Sequence, residues 1–187
     1  MSIFTDVKDL AGGAFRSKSW YREQLQFGLQ SYTGAFTVGD IIFFNYSAQT
    51  PDLPFWDTFP MVRIRRVDYQ KKQFEGGNIH YLRPHNRQSM AKAWGAGSIS
   101  YPRRCHHKYF MSSCTRVYDV PQEEMDDMVP IPVEQIVIRP SGLKKTLEVP
   151  STIIWSRLKK WQDKVFRHLP ILSRVAYMNP LGVTSMR

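Results

Sequence analysis

Between residues 39 and 82 short apolar runs alternate with turn-forming segments, and that alternation restricts the fold more than any other feature. Ile41, Ile42, Phe43, Phe44 and Tyr46 make a brief aromatic run of strand type. A turn-rich segment follows, and then a second run over residues 59–67 in which Met61, Ile64 and Val67 stand among Arg63, Arg65 and Arg66. Residues 68–72 are polar enough to turn the chain, and Phe74 opens a third element. Gly76-Gly77 offers the backbone freedom for a tight turn or bulge before Asn78, Ile79, His80, Tyr81 and Leu82. Strands this short are unstable singly, so their aromatic residues must share one core. The pattern predicts an α+β protein: a small SH3-like β-barrel or bent antiparallel sheet, with N- and C-terminal helical arms.

Three regions result: an N-terminal arm with a short helix (1–38), a β-rich core (39–150), and a basic amphipathic helix with its tail (151–187). A chain of 187 residues suits one core with appendages, since a second core would leave too little chain for each. In the arm, Gly12-Gly13 reads as a flexible break and residues 16–30 as a helix, capped by Ser17 or Ser19. Trp20 and Phe27, seven residues apart, are expected on one docking face of it.

Within the core, Leu53-Pro54-Phe55-Trp56-Asp57-Thr58-Phe59-Pro60 is the most distinctive octapeptide. Two prolines bracket three aromatic residues, which predicts a rigid, irregular segment rather than a central strand. Asp57 is placed to cap a turn by accepting backbone N–H bonds. The aromatic residues read first as core payload and second as a surface for stacking bases. Farther on, residues 84–97 hold a short helix ending at Gly95 or Gly97, residues 121–128 an acidic turn or single helical turn, and residues 133–138 a last edge strand.

Charge sorts into blocks. Residues 1–60 carry net −2, residues 61–118 net +10, residues 119–150 net −4 and residues 151–187 net +6. Separated basic blocks suit an anionic partner, either nucleic acid or an acidic protein neighbour. Arg63, Arg65, Arg66, Arg103, Arg104 and Lys108 are the expected contacts, and a nucleic-acid reading requires them, with Lys71 and Lys72, to converge on one face. Residues 98–120 interleave such cations with Tyr101, Tyr109, Phe110 and Tyr118, a composition that can track a phosphate backbone.

Cys105, His106, His107 and Cys114 lie close together and are weak candidates for zinc. They match no C-x2-C or H-x3-H spacing, and adjacent His106 and His107 face opposite ways on a strand, so buried thiols and surface histidines are the preferred reading. No cofactor, catalytic residue or small-molecule substrate is expected. Glycine-rich phosphate loops and Ser-His-Asp arrangements are missing, and the carboxylates of residues 123–127 read as solvated charge. No apolar run approaches the roughly 20 residues that cross a bilayer, and two cysteines suit a protein made in a reducing cytoplasm.

After Ser151, a helix cap, Ile154, Leu158, Trp161, Val165 and Leu169 recur at helical spacing among five basic residues. Such a helix can lie on a membrane, but a docking role is the expectation adopted here, with Leu158, Trp161, Val165 and the arm's Trp20 as partner-binding residues.

Several short blocks together resemble small virion proteins of contractile-tailed bacteriophages. They are Ser19-Trp20-Tyr21-Arg22, the octapeptide 53–60, Gly77-Asn78-Ile79-His80-Tyr81-Leu82-Arg83-Pro84 with Arg87, and Val129-Pro130-Ile131-Pro132-Val133-Glu134-Gln135. The likeness spans roughly residues 17–157. It implies a non-enzymatic virion component that meets other virion proteins, with the tail or baseplate hub as the expected location. The alternative it implies is a basic protein associated with DNA or DNA ends in the particle.

Overall fold

A computed structural model describes residues 2–49, 55–128, 130–139 and 146–155. In chain order the described elements are α1 (Ile3–Ala11), α2 (Lys18–Gly28), β1 (Ile41–Tyr46), β2 (Trp56–Asp57), β3 (Met61–Asp68), β4 (Gln73–Asn78), α3 (Pro84–Gly95), β5 (His106–Phe110), β6 (Cys114–Asp119), α4 (Met125–Met128), β7 (Ile136–Ile138) and β8 (Leu147–Glu148). The α+β expectation holds. The main sheet is antiparallel, in the order β5-β4-β3-β1-β6, and a small second sheet runs β2-β7-β8. Strands β5 and β6 stand at opposite ends of this order rather than beside each other, and the outer side of β6 is met by residues 30–32 through a Ser31–Tyr118 bridge, so of the two expected forms the open antiparallel sheet stands and a closed barrel does not.

The core lies on both faces of this sheet. Ile41, Phe43 and Met61 join Phe4, Leu25, Tyr81 and Trp94 on the helix side. Ile42, Phe44, Val62 and Ile64 join Phe74 and Tyr109 on the other. Covering both faces accounts for the continuous Ile-Ile-Phe-Phe run of β1, because neither side of that strand meets water. Phe55, Trp56 and Phe59 are all buried, which makes the octapeptide's aromatic residues core and not a stacking surface.

Four local expectations change. Gly76 and Gly77 form no turn but sit inside β4. A Cβ at Gly76 would lie 2.4 Å from Val62 Cγ1 and 2.5 Å from the Arg63 carbonyl oxygen, and one at Gly77 would lie 2.4 Å from Tyr101 Cδ1. These glycines serve close approach, and the bulge falls opposite them, at Arg65, where β3 carries one extra residue against β4. Residues 79–81 form a 3-10 turn rather than another strand. The 133–138 segment yields β7, which is central in the small sheet, paired on both sides. On α2, capped by Ser17 as expected, Leu25 is buried and Trp20 half-buried, whereas Phe27 stays 92% exposed. The helix therefore packs through Trp20, Tyr21 and Leu25, not through a Trp20–Phe27 face.

The N-terminal arm is also more regular than expected. Residues 3–11 are helical, capped by Ser2 and ended by Gly12 at φ 59°. Ser151 and Ile154 are buried, Ile154 within the helix-side core. Leu158, Trp161 and Val165 lie outside the described residues.

Candidate functional site

Two polar arrangements stand out, one buried and one exposed. The buried one centres on Asp57. Its carboxylate accepts from the backbone N–H groups of Phe59 (3.1 Å) and Gln135 (3.2 Å), and from Asn78 Nδ2 (3.1 Å). His80 Nδ1 lies 2.6 Å from Asp57 Oδ2. The expected capping role of Asp57 is thus met, though one of the amides it holds belongs to a distant segment. Burial alone would raise its pKa; the neighbouring His80 charge and these hydrogen bonds outweigh that and hold it below the ordinary value.

A second pair adjoins the first. Arg87 Nη1 donates to Glu134 Oε2 at 3.0 Å, while Lys18 Nζ donates to Glu134 Oε1 at 2.8 Å and to Ser151 Oγ at 3.0 Å. The His80 carbonyl accepts from Trp155 Nε1 at 2.8 Å and from Arg87 Nη2 at 3.3 Å. Burial works against the Glu134 charge, but Arg87, His80 and Lys18 prevail and lower its pKa to about 2. With side-chain exposures of 3% for His80 and 1% for Asp57, the dyad is closed to any substrate. Together the two pairs fasten α2, β2, α3, the 130s segment and residues 151–155 to one another.

The exposed arrangement lies on β3, β4 and β5. Arg66 pairs in register with Glu75, and Glu75 with Lys108, so the three share one face. The bulge at Arg65 matters here. Strict alternation would send Arg65 and Arg66 to opposite faces; the extra residue lets both serve the same one. Arg65 places its guanidinium 5.9 Å from the ring centroid of Tyr101, whose hydroxyl is 3.0 Å from His106 Nδ1. Burial lowers the His106 pKa; Glu75 opposes this, and the charges of Arg65 and Lys108 add to it. Lys71 lines a shallow depression with Arg66, Asp68, Gln73, Glu75 and Lys108. Arg103 and Arg104 are exposed in the turn that leads directly into β5.

Of the expected anion contacts, then, Arg65, Arg66 and Lys108 share a face, and Arg103 and Arg104 lie exposed at the start of β5. Arg63 does not belong with them. It is only 3% exposed and donates to the Trp94 carbonyl (2.9 Å) and Gln122 Oε1 (3.3 Å). Its charge is used at the C-terminal end of α3, where the helix dipole favours a cation. Trp20 is half-buried against the helix-side core and edge-on to Tyr21, so it is a packing residue in the folded chain.

The weak metal candidates are not drawn together. Cys105 belongs to the helix-side core and Cys114 packs against the opposite cluster. Burial pushes both thiols up to about 12, and Cys114 Sγ donates to the Phe110 carbonyl. His107 lies 4.1 Å from the Tyr81 ring centroid, its pKa brought down to about 4 chiefly by burial. Among the described residues no three His, Cys, Asp or Glu side chains gather as a metal site, and no helix is long and apolar enough to cross a membrane.

Sequence reasoning missed the buried centre as a unit. Its signal was present: Asp57, Asn78, His80, Arg87, Glu134 and Gln135 all lie in the short blocks that carry the virion-protein resemblance. Residues 4–94, just under half of the chain, match the family model described as the phage T4 terminal DNA protecting protein. No curated protein and no solved structure matches the chain. The matched description names protection of terminal DNA and no tail or baseplate component, so it favours the alternative expectation over the primary one.

Proposed function

We propose that this chain is a non-enzymatic phage virion protein that binds the ends of linear double-stranded DNA and shields them. The observation that carries this reading is the family match over residues 4–94, a stretch containing β3 and β4 with Arg65 and Arg66. The basic face supports it. Arg65, Arg66 and Lys108 are exposed on one side of three adjacent strands, Arg103 and Arg104 stand at the start of β5, and Tyr101 lies among them. Phosphate contacts of this kind give affinity without sequence readout, which suits a protein that must accept whatever sequence an end presents. The tail or baseplate reading has no observation of its own here.

The test is binding of the full chain to linear duplex DNA and to a covalently closed circle of the same sequence, across a salt series. Linear DNA should bind more tightly, log K should fall steeply with log salt, and bound ends should resist an exonuclease. Equal affinity for circle and linear DNA, with no exonuclease resistance, would overturn the end-binding reading.

A further inference from the structure

The basic face has an acidic side chain at its centre. Glu75 stands between Arg66 and Lys108 in cross-strand register. Its Oε1 is 3.2 Å from Lys108 Nζ, and its Oε2 is 4.0 Å from His106 Nε2. The Lys108 side chain is 44% exposed and that of Glu75 24%, so this pair adds little to stability in water. A carboxylate in that position does offer two anionic oxygens to separate nitrogen groups, the Lys108 ammonium and the His106 imidazole, as the two non-bridging oxygens of a phosphodiester can.

We infer that the Arg66–Glu75–Lys108 row, with His106, is the seat of a single nucleic-acid phosphate, and that Glu75 holds the phosphate's place in the free protein. The incoming phosphate takes over Lys108 and His106 and turns the carboxylate out to solvent. This rests on the DNA reading above and adds a modest competition to it: a phosphate that reaches Lys108 must displace a resident carboxylate. Asp68 supplies an internal control. It lines the same depression but is paired at 3.9 Å with Lys71, outside the row.

The experiment compares the full-length wild type with Glu75→Gln, Asp68→Asn, Lys108→Gln and the Glu75→Gln/Lys108→Gln double variant, using fluorescence anisotropy on linear duplex DNA at several salt concentrations. Thermal denaturation establishes that each is folded. Glu75→Gln should bind about threefold to tenfold more tightly with a nearly unchanged salt slope, because a phosphate meets Lys108 in both forms and the variant lacks only the competing carboxylate. Asp68→Asn should change affinity less than about twofold, and the gain from Glu75→Gln should vanish in the Lys108→Gln background. A folded Glu75→Gln that binds no better than wild type overturns the seat, as does an equal gain from Asp68→Asn, which would make the effect one of net charge. Wild type that binds DNA beside an indifferent Glu75→Gln removes the seat alone. Failure of every form to bind duplex DNA removes the DNA reading and the seat with it.

Discussion

Arg87 on α3 and Glu134 in the segment before β7 are joined at 3.0 Å, with side chains only 4% and 3% exposed. The Glu134 carboxyl therefore titrates far below its ordinary range, at about 2 instead of 4.5. A carboxylate whose folded pKa is lowered contributes stability that is fully present above its unfolded value and is lost as pH falls through the folded one. Between about pH 4.5 and pH 2 this group alone should remove about 3 kcal/mol. Urea denaturation of wild type and Glu134→Gln across that window checks it: wild type should lose stability more steeply, and the gap between the two should close toward pH 2.

Arg63 and Arg66, three residues apart on one strand, should answer differently to loss of charge. Arg66→Gln exposes nothing new and should leave the melting temperature nearly unchanged while reducing the salt slope of DNA binding by about one. Arg63→Met removes the buried donor that the Trp94 carbonyl shares with the Gly97 N–H and should cost about 0.5–1.5 kcal/mol of stability with the salt slope intact. Paired denaturation and binding curves separate the two.

Gly76→Ala should destabilise the sheet by about 1–3 kcal/mol or more, since the added methyl meets the Arg63 backbone, which cannot move aside, as well as the Val62 side chain. Gly34→Ala is the control. Its Cβ would rest 3.6 Å from the Tyr32 hydroxyl, an ordinary contact, and its melting temperature should stay close to wild type.

A chain stopped after Trp155 should melt at a higher temperature than one stopped after Pro150, because the shorter chain loses the buried Ile154, the Ser151 hydroxyl that receives Lys18, and the indole that donates to the His80 carbonyl. We expect a deficit of about 2–5 kcal/mol from Ile154 alone, measured by urea denaturation. Equal stability of the two truncations would show that residues 151–155 are not part of the core.

Local signals were legible wherever periodicity and turn chemistry act alone. The β1 run, the turn after Asp68, the Ser17 cap and the helix ending near Gly95 all follow from neighbouring residues. What could not be read locally was partner choice. Gly76-Gly77 is equally good chemistry for a turn and for a strand pressed against another backbone, and only Val62 and Tyr101 decide between them. Arg63, Arg65 and Arg66 look alike in sequence. A one-residue bulge and the position of α3 send the first inside and the other two to the surface. The buried centre was the least visible part, since Lys18, Asp57, His80, Arg87, Glu134 and Trp155 share no spacing. Only tertiary closure brings them together.

That closure also orders events in time. Helix α2 is among the first elements to leave the ribosome, yet the hydroxyl that shares its Lys18 ammonium is on Ser151, and the indole that completes the His80 carbonyl is on Trp155. The nascent chain can pair β3 with β4 early, but its polar centre stays open until nearly all of the described chain has been made. A half-made chain therefore lacks a finished core and leaves its buried polar groups open to water.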